Sequence, residues 1–548
     1  MKEMLHKING RWILDLVVVI SVWYLLFWLD TLLIKVMRFP SDVKEFVYLF
    51  AHPILYALPF AGLTVFLGRY RWFLLPVYVY LLVIEVLETY LLHAFGSVFT
   101  GDLLLIALNS SKEEVLSVAR VILSFEMVAT ALSIVALGLM LGRVAFRGSC
   151  RFRRMTRVGL LSLFCLPLAL NVVRLHLQDK KQTLPISFDV VVDTFSTYRA
   201  NAEYWEACRN PAPFGDVSVS FPHKGAAPLG VIVIGESLTR NDMSLYGYGR
   251  ETTPRMCDMG DELYVFTDLL ASWSHTVECL HYLLTEKELH AKHGTLCTFP
   301  EVCRRAGYHC VLLSNQGHWG RYDTLDTALF SACAEKTWLR EERACRHLYD
   351  IDMVEMLAST VRDAPKGPVM VFVHTRGSHY PFVCPASHEK FPPDLTDDSN
   401  RTLNAAERKT VNAYDNTVCH ADATFEGLVR LVRETRRPSF VVYVSDHGET
   451  PRANNRWRVE TDRDLWEIPL VIWISKEYAQ AYPEMAARLR ASVSKRLQED
   501  QLFLGFLSLA QVVGYSRYET TRDFLSPDFR PRERRMIRNG KVAYEKDN

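Results

Sequence analysis

The sequence predicts two unlike halves: an α-helical membrane domain of five spans, then an α/β domain with a mainly parallel central sheet. Three observations carry this. Five apolar stretches of spanning length fall before residue 178. Short β-branched runs alternate with helical patterns from residue 229 onward. Polar, metal-competent residues follow several of those runs, at the strand ends where open α/β sheets bind ligands.

The apolar stretches lie near residues 12–36, 46–67, 72–94, 119–142 and 156–176. About 20 apolar residues cross a bilayer as a helix. The first stretch is too long for a signal-peptide core, and no small-residue cleavage site follows it, so it reads as an uncleaved anchor. Lys and Arg in short loops set the orientation. Lys2, Lys7 and Arg11 precede the first span, and Arg69 and Arg71 separate the second from the third. Arg143, Arg147, Arg151, Arg153, Arg154 and Arg157 lie between the fourth and fifth. Alternating spans put all three groups on the cytoplasmic side, the N-terminus included, and residues 178–548 outside the cytoplasm. Glu85 and Glu88, and Glu126 in the fourth span, are ionisable groups where charge is costly.

The chain of 548 residues carries a formal net charge of +1, which points away from a nucleic-acid partner. Of its 12 Cys, Cys150 and Cys165 belong to the membrane half, and the other ten, Cys208 to Cys419, fall in the exported part. An even count in an oxidising compartment predicts disulfides, with Cys333 and Cys345 a plausible local pair.

The expected organisation is a transmembrane domain at 1–177, a connector at 178–228 and a catalytic domain at 229–548. Within the connector, residues 188–207 have the pattern of an amphipathic helix lying on the membrane. The strands expected beyond it are 229–235, 308–314, 369–375, 439–445 and 468–475, with a long helix over 406–434.

Glu236 follows the first of these strands, Asn315 the second, His374 and His379 come with the third, and Asp446 and His447 follow the fourth. Two carboxylates and an imidazole form an ordinary ligand set for Zn²⁺. The Gly-Glu-Ser turn nearly spells the nucleophile elbow G-x-S-x-G, but Thr239 stands where the second Gly belongs. Val277, Leu280, Leu283 and Leu284 repeat at helical spacing after Ser274, a credible N-cap, so Thr276 sits in a first helical turn that suits a phosphate.

GESLTRNDMSLYGYGRETTP, SHTVECLHYLLT, SNQG, HTRGSHYPF, YDNTVCHAD and SDHGE occur in that order. This series resembles the bacterial phosphoethanolamine transferases of the alkaline phosphatase and sulfatase superfamily, and is most like the branch that modifies lipopolysaccharide core or periplasmic glucans. The resemblance implies an inner-membrane protein with five spans and a periplasmic, sulfatase-like catalytic domain. It implies zinc held by Glu236, Asp446, His447 and Thr276, with Thr276 as nucleophile. Phosphatidylethanolamine would be the donor and lipopolysaccharide core, lipid A or glucan the acceptor, through a phospho-threonine intermediate.

By the same resemblance His379 lies near the transferred phosphate, and Glu114, in the loop after the third span, helps place the lipid headgroup. Asn315, Gln316 and His374 would line the substrate cleft, and Ser237 would shape the turn. One departure stands out. Many members carry another histidine about a dozen residues after the Asp-His pair, and here PRANNRWRVETDRDLWEIPL has none. Arg456 or Arg458 would hold the phosphate instead, and one metal site is favoured over two. The competing readings are a phosphoglycerol transferase of the same superfamily, a sulfatase-like hydrolase and a non-catalytic membrane binding protein. No C/S-x-P-x-R motif supports the hydrolase.

Overall fold

A computed structural model of the chain describes residues 10–36, 43–95, 125–147, 154–177, 210–211, 213–222, 226–289, 297–316, 328–339, 349–398, 402–452, 463–538 and 541–544, with the single positions 188, 192 and 206. The candidate residues Glu114, Arg456 and Arg458, and Cys345, lie outside these described residues. The chain divides into two compact units, Met1–Ala200 and Asn201–Asn548.

Among the described residues, the first unit contains five long helices on the five apolar stretches: α1 (Gly10–Val36), α2 (Val43–Leu67), α3 (Leu75–Phe95), α4 (Phe125–Arg147) and α5 (Arg154–Leu177). Among the described residues, two segments, Phe50–Leu67 and Tyr70–Leu87, are long and apolar enough to cross a membrane. Trp23, Phe27, Tyr56, Ala61 and Tyr78 form the centre of the bundle. The indole N–H of Trp23 donates to Thr64 Oγ1 at 2.9 Å, which satisfies two polar groups between α1 and α2. Leu132, Leu137, Leu139 and Met140 of α4 are exposed, an apolar outer surface that suits lipid rather than water. Glu85 is buried inside the unit. Phe188, the first described residue of the connector, packs on Phe27 and Phe60 with ring centroids 6.4 and 6.2 Å away.

The second unit is built on a seven-stranded sheet. Its strands are β1 (Leu229–Gly235), β2 (Leu263–Phe266), β3 (His309–Ser314), β4 (Glu335–Trp338), β5 (Val369–His374), β6 (Ser439–Ser445) and β7 (Leu470–Ile474). Their spatial order is β2-β7-β6-β1-β5-β3-β4. β1 pairs in parallel with β5 and β6, and β3 with β4 and β5. β7 runs antiparallel to both neighbours, so the sheet is mixed, and the expected strand at 468–475 does not join it in parallel. The two strands of this sheet missed in the sequence, β2 and β4, are four-residue edges; three of the four residues of β4 (EKTW) are polar, as suits an edge.

The central strands are buried on both faces. Alternation splits their side chains between two cores. Ile232, Ile234, Phe372 and Val444 pack with α6 (Thr276–Leu284) and α7 (Phe299–Ala306). Val231, Val233, Val373 and Tyr443 pack with α8 (Met353–Asp363) and α9 (Ala405–Glu434). α9 starts at a capping box in which Asn404 and Glu407 satisfy each other's backbone N–H groups.

The expected disulfides are not formed among the described residues. Cys257, Cys279, Cys303, Cys310, Cys333, Cys384 and Cys419 carry free thiols. Cys279, Cys303 and Cys310 fill core positions as small hydrophobes. Burial pushes the Cys333 thiol up to about 12 and Cys303 well above its usual range, which makes both inert.

Phe372 is fully buried between Phe299 and Phe330, with ring centroids 6.1 and 5.4 Å away. Replacing Phe372 by Ala is expected to cost about 3–5 kcal/mol, read from denaturant unfolding.

Candidate metal centre and nucleophile

The carboxyl ends of β1 and β6 lie side by side in register, Gly235 opposite Ser445. The next residue on each chain therefore enters the same space. Ligand atoms of Glu236, Asp446 and His447 all lie within 4.8 Å of one another, and all three side chains are buried. His447 Nε2 is 3.6 Å from Glu236 Oε1 and 3.5 Å from Asp446 Oδ2. His447 Nδ1 is 2.7 Å from the Gly448 carbonyl, so it carries the proton and Nε2 presents a lone pair to the carboxylates.

Asp446 Oδ1 accepts the backbone N–H groups of Ser237 (2.9 Å) and His447 (2.6 Å). Among the described residues its buried Oδ2 has no hydrogen-bond partner. Burial pushes the Asp446 carboxyl above the usual carboxylate range, against the pull of those N–H groups. A buried, orphaned carboxylate oxygen facing a second carboxylate and an imidazole lone pair fits a divalent cation. Gly448 follows because a Cβ there would stand 1.9 Å from the Asp464 carbonyl.

Thr276 is the first residue of α6, and its hydroxyl donates to Glu236 Oε1 and Oε2, both at 3.0 Å. The same oxygen is 3.5 Å from His447 Nε2. The structure thus brings Glu236, Thr276, Asp446 and His447 together. The N-cap of α6 is His275, not the expected Ser274, whose hydroxyl instead pairs with His275 Nδ1 at 3.0 Å. His275 makes no side-chain cap hydrogen bond.

Ser237 adopts φ +56°, the left-handed conformation of a true nucleophile elbow. Its hydroxyl donates to Glu236 Oε1 at 2.8 Å, however, and its carbonyl accepts from Tyr414 Oη at 2.9 Å. The turn aims the glutamate, and the serine braces it.

The remaining candidates divide. His379 is half-buried, with Nδ1 held by the Tyr380 carbonyl at 2.6 Å. Gln316 Nε2 reaches the Thr375 carbonyl at 2.7 Å and Glu236 Oε2 at 3.4 Å. Asn315 and His374 are buried, as are Glu236, Asp446 and His447. The cause is pairing in the sheet: Asn315 N–H continues the β3–β5 ladder onto the His374 carbonyl. The His374 ring then lies beside Phe330. Burial holds the His374 pKa down to about 4.

Sequence reasoning missed three supports. Asp350 binds the loops after β3 and β5. Tyr414 of α9 accepts from Thr239 N at 3.0 Å as well as donating to Ser237. Arg452 pairs with buried Asp242 and donates to Tyr248 Oη at 2.7 Å, while Tyr248 and Arg250 bind Asp415. The dense charge of NDMSLYGYGRET and SDHGETPR was the available signal for this last network.

A mixed sheet that delivers Glu, Asp and His to one ion-sized gap, with a helix-start hydroxyl beside it, is a sulfatase-like (alkaline phosphatase-like) fold. The chain belongs to the sulfatase family, whose model matches residues 228–512. It is 29% identical over 318 residues to phosphoethanolamine transferase EptC of Escherichia coli (strain K12), covering 55% of this chain and 53% of the relative. It is 28% identical over 326 residues to phosphoethanolamine transferase CptA of Salmonella typhimurium, covering 56% and 55%. The chain spans about half the length of the curated relatives it matches.

Among solved structures, the C-terminal periplasmic domain of EptC from E. coli in complex with Zn matches at TM-score 0.54 and 25% identity, over 61% of this chain and 96% of that one. The integral membrane protein lipooligosaccharide phosphoethanolamine transferase A (EptA) from Neisseria meningitidis matches at TM-score 0.68 and 19% identity, over 95% and 99%. The second likeness shows that the fold extends through the helical half.

Two outcomes follow. Ser237→Ala should keep divalent-metal affinity within about fivefold, the worth of roughly one hydrogen bond, whereas Glu236→Ala should abolish stoichiometric metal in the purified protein. His374 has a folded pKa below its ordinary 6.5, so the unfolded chain takes up its proton first as the pH falls. Stability is therefore lost between about pH 6.5 and 4, by up to about 3 kcal/mol. His374→Gln should lose less stability than the parent across that window in parallel denaturant titrations.

Proposed function

We propose that the protein is a zinc-dependent phosphoethanolamine transferase of the bacterial inner membrane. Five spans at 1–177, a connector at 178–228 and a periplasmic catalytic domain at 229–548 form its organisation. The observation that carries the reading is the position of Thr276: a helix-start hydroxyl within 3.0 Å of both Glu236 oxygens and 3.5 Å of His447 Nε2.

Glu236, Asp446, His447 and Thr276 would hold one zinc ion. Zinc bound there lowers the pKa of the threonine hydroxyl and offsets charge on the phosphoryl oxygens. Thr276 Oγ1 attacks the phosphorus of phosphatidylethanolamine, and the bond to the diacylglycerol oxygen breaks. Net, the threonine proton ends on diacylglycerol, and phosphoethanolamine remains on Thr276. An acceptor hydroxyl or phosphate on lipopolysaccharide core, lipid A or glucan then displaces the threonine oxygen, which regains a proton. Thr276 opens α6, and the N-terminus of a helix favours the charge of a transferred phosphate. His379, its ring set by the Tyr380 carbonyl, serves the same phosphate. Glu114 is assigned to headgroup binding by resemblance, and Arg456 or Arg458 to phosphate binding by the fit of a guanidinium to phosphate oxygens where the family's histidine is missing.

The test uses the detergent-purified full chain with phosphatidylethanolamine labelled in its ethanolamine. The protein should acquire one phosphoethanolamine unit at Thr276, seen by peptide mass. Thr276→Ala and a chelator should each lower diacylglycerol release about a thousandfold or more, and zinc should restore only the chelated enzyme. Transfer of labelled glycerol phosphate instead would overturn the choice of donor.

A further inference from the structure

Asp350 lies between β4 and α8, outside every strand and every motif of the sequence reading, and is 4% exposed. Its carboxylate accepts three hydrogen bonds from neutral donors. Oδ1 takes Asn315 Nδ2 at 2.8 Å and Arg376 N at 2.9 Å, and Oδ2 takes Gly377 N at 2.9 Å. One side chain thus ties the loop after β3 to the loop after β5.

Both loops end on Glu236. From the β5 side, Ser378 N donates to the Glu236 carbonyl at 2.9 Å. Gly377 has φ +53°, and a Cβ there would stand 2.6 Å from the Glu236 carbonyl oxygen and 2.8 Å from its nitrogen. The loop therefore lies flat against the backbone of that residue. From the β3 side, Gln316, next to Asn315, reaches Glu236 Oε2 at 3.4 Å and the Thr375 carbonyl at 2.7 Å. His379 continues the β5 loop, its N–H donating to the Arg376 carbonyl at 3.2 Å. Asp350 touches neither Glu236 nor Thr276 in this network, yet two short chains of contacts run from its carboxylate to the backbone and the carboxylate of Glu236.

We propose that Asp350 is a positioning residue of the metal centre: it fixes the loops that set the orientation of Glu236 and the placement of His379. The proposal rests on the reading of Glu236 as a metal ligand. All three contacts demand an acceptor. An amide in place of the carboxylate turns one oxygen into a donor and opposes at least one N–H. Groups that orient metal ligands typically contribute about 10–100-fold in metal affinity.

The test compares the full-length, detergent-purified protein with Asp350→Asn, Gly377→Ala, the double variant, and Phe372→Ala as a purely structural control. Zinc affinity is read by competition with a chromophoric chelator. Hydrogen exchange of peptides spanning 375–380 is read in the metal-free protein. Asp350→Asn and Gly377→Ala should each weaken zinc binding about 10–100-fold and speed exchange of those peptides without metal. The double variant should be no worse than the weaker single one. Phe372→Ala should lower the melting temperature and leave zinc affinity unchanged. Parental zinc affinity in a folded Asp350→Asn and a folded Gly377→Ala would overturn the proposal. If Asp350→Asn does not fold, Asn315→Ala decides: it cuts one chain of contacts from Asp350 without adding bulk beside Glu236, and it is expected to weaken zinc too. A parent protein that binds no zinc would instead overturn the metal reading and this proposal together.

Discussion

Two carboxylates, Glu236 and Asp446, are buried within 4.8 Å of each other at the ends of neighbouring strands, and much of the second unit exists to make that arrangement stable. At an effective dielectric near 20, two such charges repel by about 3–4 kcal/mol. Burial adds a desolvation cost to each. The fold answers in two ways. It feeds backbone N–H groups of Ser237 and His447 into Asp446 Oδ1, and it donates the hydroxyls of Ser237 and Thr276 to Glu236. What remains, the orphaned Oδ2 of Asp446, is a demand for positive charge that a divalent cation meets.

That demand explains the surrounding chain. Gly448 is required by the close passage of the Asp464 carbonyl, and Gly377 by the Glu236 backbone. Ser237 bears a left-handed φ so that its N–H reaches Asp446 while its hydroxyl reaches Glu236. Strain at such a turn is tolerated because Tyr414 and the strand ladder on both sides over-determine it. The nucleophile candidate comes from α6, whose apolar residues Leu280 and Leu283 anchor it in one core. Asp350 and Tyr414 act from the opposite side of the sheet. The site is thus clamped between both helical layers.

The apolar stretches of the first half were plain in the sequence because each is a long, uniform apolar run, and a helix lies on each of them. The strands bearing Glu236 and Asp446-His447 were equally plain, since a strand buried on both faces is a continuous apolar run closed by a polar residue. SDHGE and GES supplied the candidate ligands that lie together in the structure, and helical spacing placed Thr276 in a first turn.

Other features had no such record. The reversal of β7 depends on how the chain re-enters the sheet, and its apolar run reads the same in either direction. The edges β2 and β4 were too short and too polar to stand out. Cysteine number suggested disulfides, but only packing shows that Cys303, Cys310 and Cys333 are consumed as core hydrophobes. Asp350 is one acid among the 62 Asp and Glu of the chain until three donors from two distant loops converge on it. By itself the sequence marked Glu236, Asp446 and His447 as candidate metal ligands, because each follows a strand in a local polar pattern, and the family resemblance of its motifs singled out Thr276 as the candidate nucleophile. Only the tertiary structure decided which residues hold them in place, because those contacts join segments far apart in the chain and leave no periodic trace.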